Sequence, residues 1–223
     1  LNPYSNGTTR TYDFQGTVDL IGHNNPASSQ ILIGIEHQFL GSGYSILKNS
    51  GTINLKSGNN IVGIQIDTEG GHSKGETINA GTINISSERS IGIDYGYYYP
   101  NAPHTDVQLG NINVNGSNNY GFRMRYYSTP DYYDLTNVSG ANGIITVGGN
   151  NNIGVSIAQG ASSGDPISKI NALNILVGGT NNIGFYRNSD SLPAGLNTGA
   201  MILNSSRLGS TFNFDSTATS SAL

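Results

Sequence analysis

The 223-residue chain is 35% apolar and only 11% charged, with a net charge of −4 and ten scattered basic residues. That balance gives no electrostatic support to a nucleic-acid partner, and no apolar run nears the ~18 residues of a membrane span, so direct membrane insertion is not expected. The absence of cysteine excludes disulfides, thiolate metal sites and a cysteine nucleophile.

Residues 1–15, with Pro3, Gly7 and a Thr/Tyr-rich segment, read equally as a leading strand or a frayed end. The chain opens without methionine on turn-rich sequence and is read as a piece of something longer. From Gly16 a unit begins that recurs along most of the sequence. Its first half is Gly16–Leu20, Gly51–Leu55, Gly81–Ile85, Gly110–Val114, Gly143–Val147 and, without the glycine, Leu173–Val177. Its second half centres on a glycine at Gly34, Gly63, Gly92, Gly121, Gly154 and Gly184, in steps of 29, 29, 29, 33 and 30. The first copy carries a turn-forming insertion, Gly22 to Ser29. Self-similarity at such a period is the signature of a repeat architecture.

Within each unit apolar and polar residues alternate, which puts the apolar ones on one face of a short strand. Asn59–Asn60, Asn118–Asn119, Asn151–Asn152 and Asn181–Asn182 then supply turn chemistry and side chains able to form ladders. A second alternating strand follows. Two inward columns are expected there: Ile33, Val62, Ile91, Tyr120, Ile153, Ile183, and Ile35, Ile64, Ile93, Phe122, Val155, Phe185. The glycine between them is expected to face outward or to mark a bend. A weaker third strand precedes the next unit at Ile46–Leu47, Thr77–Ile78, Asp106–Val107, Val138 and Ile170.

Three short strands per ~30 residues describe one coil of a right-handed parallel β-helix, with six to seven coils in a single domain spanning 1–223. A propeller blade needs ~40–45 residues, and a helical period of 3.6 never appears. One coil cannot bury enough to stand alone, so each must lean on its neighbours. Repeats cover 16–204. A last coil is expected from Thr198–Asn204 and Ser210–Phe214, and the tail from Ser216 is expected to fray.

With the interior filled, chemistry falls to loops and outward columns. The column after the glycine reads Glu36, Gln65, Asp94, Arg123, Ser156, Tyr186. Glu36 and Asp94 stand two coils apart, near ~10 Å at the strand spacing, at the margin of a glycosidase pair. Asp94 and Arg123 are expected to form an exposed ion pair of little worth. The histidines, His23, His37, His72 and His104, are dispersed. Asp67, Glu69, His72 and Glu76 match no calcium-loop spacing, so neither metal nor cofactor is expected. Phosphate-loop and nucleophile-elbow motifs are absent, and the protein is read as a non-enzyme with no catalytic residues.

Tyrosine is concentrated in two segments that leave consecutive second strands. Tyr95, Tyr97, Tyr98 and Tyr99 lie in the first, and Tyr126, Tyr127, Tyr132 and Tyr133 in the second, with Pro100, Pro103 and Pro130. Equivalent positions in neighbouring coils make one aromatic surface of them. Such rings serve binding at low entropic cost, or pack on one another to hold long loops down.

The Gly-Thr-Ile-Asn-Ile unit with its Asn-Asn-Ile-Gly-Ile/Val/Phe partner, scant charge and no cysteine resembles the passenger domains of Gram-negative (type V) autotransporters. It looks most like large fusobacterial surface adhesins and vacuolating-cytotoxin-like passengers. The resemblance covers Gly16 to Asn204. It implies export to the bacterial cell surface or outer membrane on a C-terminal barrel, and a monomeric adhesin or stalk binding a host-cell or bacterial surface protein or glycan. A carbohydrate-active β-helix of the lyase or tailspike kind and a vacuolating-type toxin fragment are the alternatives. The serine-protease branch is marked by a Gly-Asp-Ser-Gly-type motif, which Ser163-Gly164-Asp165 does not match.

Overall fold

Alternating aliphatic and polar residues give each segment one apolar edge, and an extended strand is the conformation that gathers that edge on one side. A computed structural model describes residues 9–25, 27–38, 44–67, 74–97, 105–126, 136–159, 167–189, 208–214 and 219–221. Among these residues there are strands and no helix. The first coil comprises β1 (Thr9–Phe14), β2 (Thr17–Ile21) and β3 (Leu32–Gln38). The second comprises β4 (Tyr44–Asn49), β5 (Thr52–Ser57) and β6 (Ile61–Asp67), and the third β7 (Lys74–Asn79), β8 (Thr82–Ile85) and β9 (Ile91–Tyr97). The fourth is β10 (Thr105–Gln108), β11 (Asn111–Val114) and β12 (Tyr120–Tyr126), and the fifth β13 (Thr136–Ser139), β14 (Ile144–Val147) and β15 (Ile153–Gln159). Beyond it the first two strands of a coil merge into β16 (Ile167–Val177), followed by β17 (Thr180–Ser189), β18 (Leu208–Phe214) and β19 (Thr219–Ser221).

Each strand pairs in parallel with its equivalent one coil away. The third strands form a seven-stranded sheet, β3-β6-β9-β12-β15-β17-β19. The other two faces, β1-β4-β7-β10-β13 and β2-β5-β8-β11-β14, join through β16 into a twelve-stranded sheet. The chain is a parallel β-helix, as its period predicts. The leading segment resolves as strand at Thr9–Phe14, paired with β4. In the last coil Ser210–Phe214 belongs to β18, on β16, while Thr198–Asn204 lies outside the described residues. Part of the expected frayed tail, Thr219–Ser221, is strand on β17.

The core runs up the axis. Ile64 pairs with Ile93, Ile93 with Phe122, Phe122 with Val155, and Val155 with Phe185; all five are 0–1% exposed. Ile53, Ile83, Ile112 and Ile145 stack likewise on the second face. The other predicted inward column is in register but misplaced. Tyr120, Ile153 and Ile183 are only partly buried, and Val62 and Ile91, although buried at 3% and 6% exposed, stand apart from the core cluster. The cause is the glycine between the columns. A Cβ on Gly92 would point at Ile85 Cδ1, 3.2 Å away, so the glycine and the next residue both face inward, and the alternation slips by one. The residue before the glycine therefore faces out. That same Cβ would lie 2.5 Å from the Gly121 carbonyl oxygen of the next coil. A second glycine column at the first corner is tighter still, since a Cβ on Gly81 would meet the Gly51 oxygen at 1.9 Å.

The Asn pairs divide their labour. The first member takes the left-handed conformation, with φ of 59° at Asn118 and 54° at Asn151 and Asn181. The second turns inward and is buried: Asn119, Asn152 and Asn182. The Ser90, Asn119 and Asn152 backbone N–H groups donate to the side-chain oxygens of Asn119, Asn152 and Asn182, each at 2.8 Å. Each amide in turn donates to two turn carbonyls, Ser87 and Asn115 for Asn119. Asn59–Asn60 sits one residue out of phase: Asn60 is left-handed and Ile61 takes the ladder station. In the third coil Arg89 holds the left-handed position at φ 49°.

Two stability outcomes follow from this geometry. Gly92→Ala should cost about 1–3 kcal/mol, because backbone of the next coil cannot yield to the new methyl as a side-chain tip would. Arg89→Asn should gain about 0.5–1 kcal/mol by placing there a residue that tolerates the left-handed region. Urea-unfolding midpoints at pH 7 against the parent chain measure both.

Candidate binding surface

The Tyr-rich segments leave and re-enter the coil side by side. Tyr97, the last residue of β9, is the registered partner of Tyr126, the last residue of β12. On return, β10 and β13 pair through Val107 and Val138. Both segments are thus anchored at each end on adjacent strands, roughly 4.8 Å apart. Tyr98, Tyr99, Tyr127, Tyr132 and Tyr133 lie outside the described residues. Tyr95 corrects the expected surface: it is fully buried. β9 continues past Ile93, so the next alternate residue still faces the core. Tyr95 there joins the column His37, Ile66, Tyr95, Met124, Ile157, none more than 1% exposed.

Below these anchors, the outer wall of the third face carries the column Glu36, Gln65, Asp94, Arg123, Ser156, Tyr186 in the expected register. The ion pair within it is not the exposed contact its sequence position implies. The Asp94 side chain is 2% exposed and is held by two arginines, themselves 27% and 28% exposed. Arg123 donates from Nε to Oδ1 and from Nη2 to Oδ2, both at 3.0 Å. Arg125 reaches the same two oxygens, from Nε at 3.2 Å and from Nη2 at 2.5 Å. The Arg123 guanidinium also lies 5.6 Å from the centre of the Tyr120 ring, in cation–π range. Arg125 was legible in the sequence, since it alternates with Arg123, but its outward station drew no attention beside the tyrosines. With its carboxylate engaged twice, Asp94 makes a poor partner for Glu36 in glycoside chemistry, whose own Oε1 accepts from Gln38. No family model, curated protein or solved structure matches the chain.

On the first face the Tyr44 hydroxyl donates to Glu76 at 2.7 Å, and burial together with that acceptor pushes it up to about 12. The second face carries an external ladder, Asn113 to Asn84 to Asn54 to Asp19, each amide donating at 2.8 Å. Among the described residues no three acidic or histidine side chains gather as metal ligands. His72, His104 and Glu69 lie outside the described residues.

His37 is the buried group that sequence reasoning passed over, although alternation from Ile35 puts it inside. Its ring crosses the coil to the opposite wall, with Nδ1 3.0 Å from the Thr77 hydroxyl and Nε2 2.8 Å from that of Ser45. Desolvation penalises the cation and lowers its pKa from 6.5 to about 3. The sign follows: the folded chain keeps His37 neutral while the unfolded chain takes up a proton below about 6.5. Its contribution is complete above that value and declines as pH falls towards 3, by up to about 1.4 kcal/mol per pH unit. His37→Gln, which does not titrate, should flatten the pH dependence of the urea midpoint between pH 7 and pH 4.5.

Proposed function

We propose that this chain is a non-enzymatic adhesive stalk module of an autotransporter passenger, exported to the bacterial cell surface and acting as a monomer. Its partner is a host-cell or bacterial surface protein or glycan, met by the Tyr-rich segments. The observation that carries this reading is the registered pair Tyr97 and Tyr126, with the matching return strands β10 and β13. The strands that flank the two aromatic segments are adjacent at both ends, and tyrosine supplies a binding surface with rigid amphipathic area. Repeat-built coils favour display over catalysis, because each coil supplies a new outward station without disturbing those beside it.

The test replaces Tyr98, Tyr99, Tyr127, Tyr132 and Tyr133 by serine and leaves Tyr95 in the core. With soluble heparin and polygalacturonate in excess, wild type should bind host or bacterial cells or arrayed glycans, and the variant should lose that binding with its melting curve unchanged. Equal binding by both proteins, or turnover of a polysaccharide by wild type, overturns the proposal.

A further inference from the structure

The outer wall at the fourth coil holds a donor edge that no described residue uses. A guanidinium has five N–H donors in a fixed planar fork. Arg123 directs one N–H from Nε and one from Nη2 to Asp94, a side-on pairing that occupies one edge of the fork. The end-on edge, formed by Nη1 and the second Nη2 hydrogen, makes no hydrogen bond among the described residues, and the side chain is 27% exposed. Asp94, buried and gripped also by Arg125, fixes the plane of that edge, while the Tyr120 ring lies beside it. Position, planarity and charge are therefore set before any ligand arrives, which is the arrangement that recognises a carboxylate or sulfate bidentately.

The surroundings favour an anion approaching from one side. Along the column, Arg123 is followed by Ser156 and then Tyr186, two strand spacings or roughly 9–10 Å away. Among the described residues, the other carboxylates of this wall, Glu36 and Asp67, stand on the first and second coils, behind Asp94. Towards the fifth and sixth coils the described outward residues are the Ser156 hydroxyl, 7% exposed, the Tyr186 phenol and the partly buried apolar Ile153 and Ile183. We propose that Arg123, with Ser156 and Tyr186, forms a binding site for an acidic glycan, the anionic group seated on the open guanidinium edge and a sugar ring against Tyr186. The proposal rests on the adhesive reading only in taking a surface polysaccharide as the carrier of the anion, and the site is distinct from the Tyr-rich segments.

Wild type is titrated with heparin as the sulfated polymer, polygalacturonate as the carboxylated one, dextran as the neutral control and poly-glutamate as the acidic peptide. Both acidic glycans should bind in a salt-sensitive manner, with dextran and poly-glutamate at least about tenfold weaker. Arg123→Gln should weaken both acidic glycans by about tenfold or more, as loss of a charged hydrogen-bonded pair does. Arg123→Lys keeps the charge without the fork and should lose polygalacturonate more than heparin. It also decides the matter if Arg123→Gln melts early. The serine variant of the Tyr-rich segments should keep acidic-glycan binding, which separates failure of this site from failure of that surface. Absence of acidic-glycan binding by wild type, unchanged binding in the arginine variants, or equal binding of dextran or poly-glutamate overturns the proposal.

Discussion

Backbone stacked directly on backbone at two glycine columns is the constraint from which the rest of the molecule follows. At Gly81 and Gly92 a methyl group would fall within 1.9 Å and 2.5 Å of a carbonyl oxygen in the neighbouring coil. Coils can approach this closely only where side chains are absent, and each approach fixes the axial register of everything between. Like residues then lie over like residues because the period leaves them nowhere else to go. Length can vary only between strands, and it does: nine residues separate the end of β12 at Tyr126 from the start of β13 at Thr136, whereas two separate β4 from β5. Sequence variety concentrates where the glycine columns exert no hold.

The interior that results is not purely apolar. Turns leave carbonyl groups facing inwards, and an unpaired buried carbonyl is costly. The ladder of Asn119, Asn152 and Asn182 answers this with one side chain per coil: the amide hydrogens satisfy two turn carbonyls and the oxygen accepts a backbone N–H from the adjacent coil. Asn49 and Asn79 do similar work at another corner, where Asn49 donates to the Asn79 oxygen and Asn79 to the Leu109 carbonyl. Every bond in these ladders crosses between coils or closes a turn, so polar and apolar stacking reinforce one register. The third coil departs from the pattern, with Arg89 left-handed, Ser90 in place of the inward Asn, and the buried Ser87 hydroxyl without a hydrogen-bond partner among the described residues.

How far this was legible in the sequence depended on whether local alternation or backbone geometry decided each residue's side. Ile64, Ile93 and Phe122 could be placed because a 29-residue step and a period of two agree on them. Tyr120 and Ile153 could not, since alternation carried through the glycine gives the wrong side, and the slip there is a property of backbone rather than of composition. Tyr95 was misread for a different reason. Tyr-Gly-Tyr-Tyr-Tyr-Pro looks like a loop, and only the pairing of β9 with β12 shows that the strand runs on to Tyr97. His37 lay within reach of the alternation rule, but a lone histidine gives no sign in sequence of the hydroxyls that meet it from two other coils. The anchoring of the Tyr-rich segments followed from the period alone.

The group that the stacking rules do not explain is Asp94. Burying a carboxylate carries a desolvation cost that ion pairing at best repays, and a buried ion pair is weak evidence for stability. The same station is filled by Gln65 on the coil before and by Ser156 two coils further on, so the fold requires no charge there. Nor does Asp94 need two arginines to be neutralised, since the Arg123 pairing alone is bidentate. What the arrangement does supply is two guanidiniums held in place on an otherwise sparsely charged wall, at the foot of the Tyr-rich segments. Long cationic side chains on a surface ordinarily sample many rotamers, and fixing them before an anion arrives removes an entropic cost from binding. Asp94 is in this sense a positioning residue, and its burial is intelligible as the means of holding Arg123 and Arg125 still.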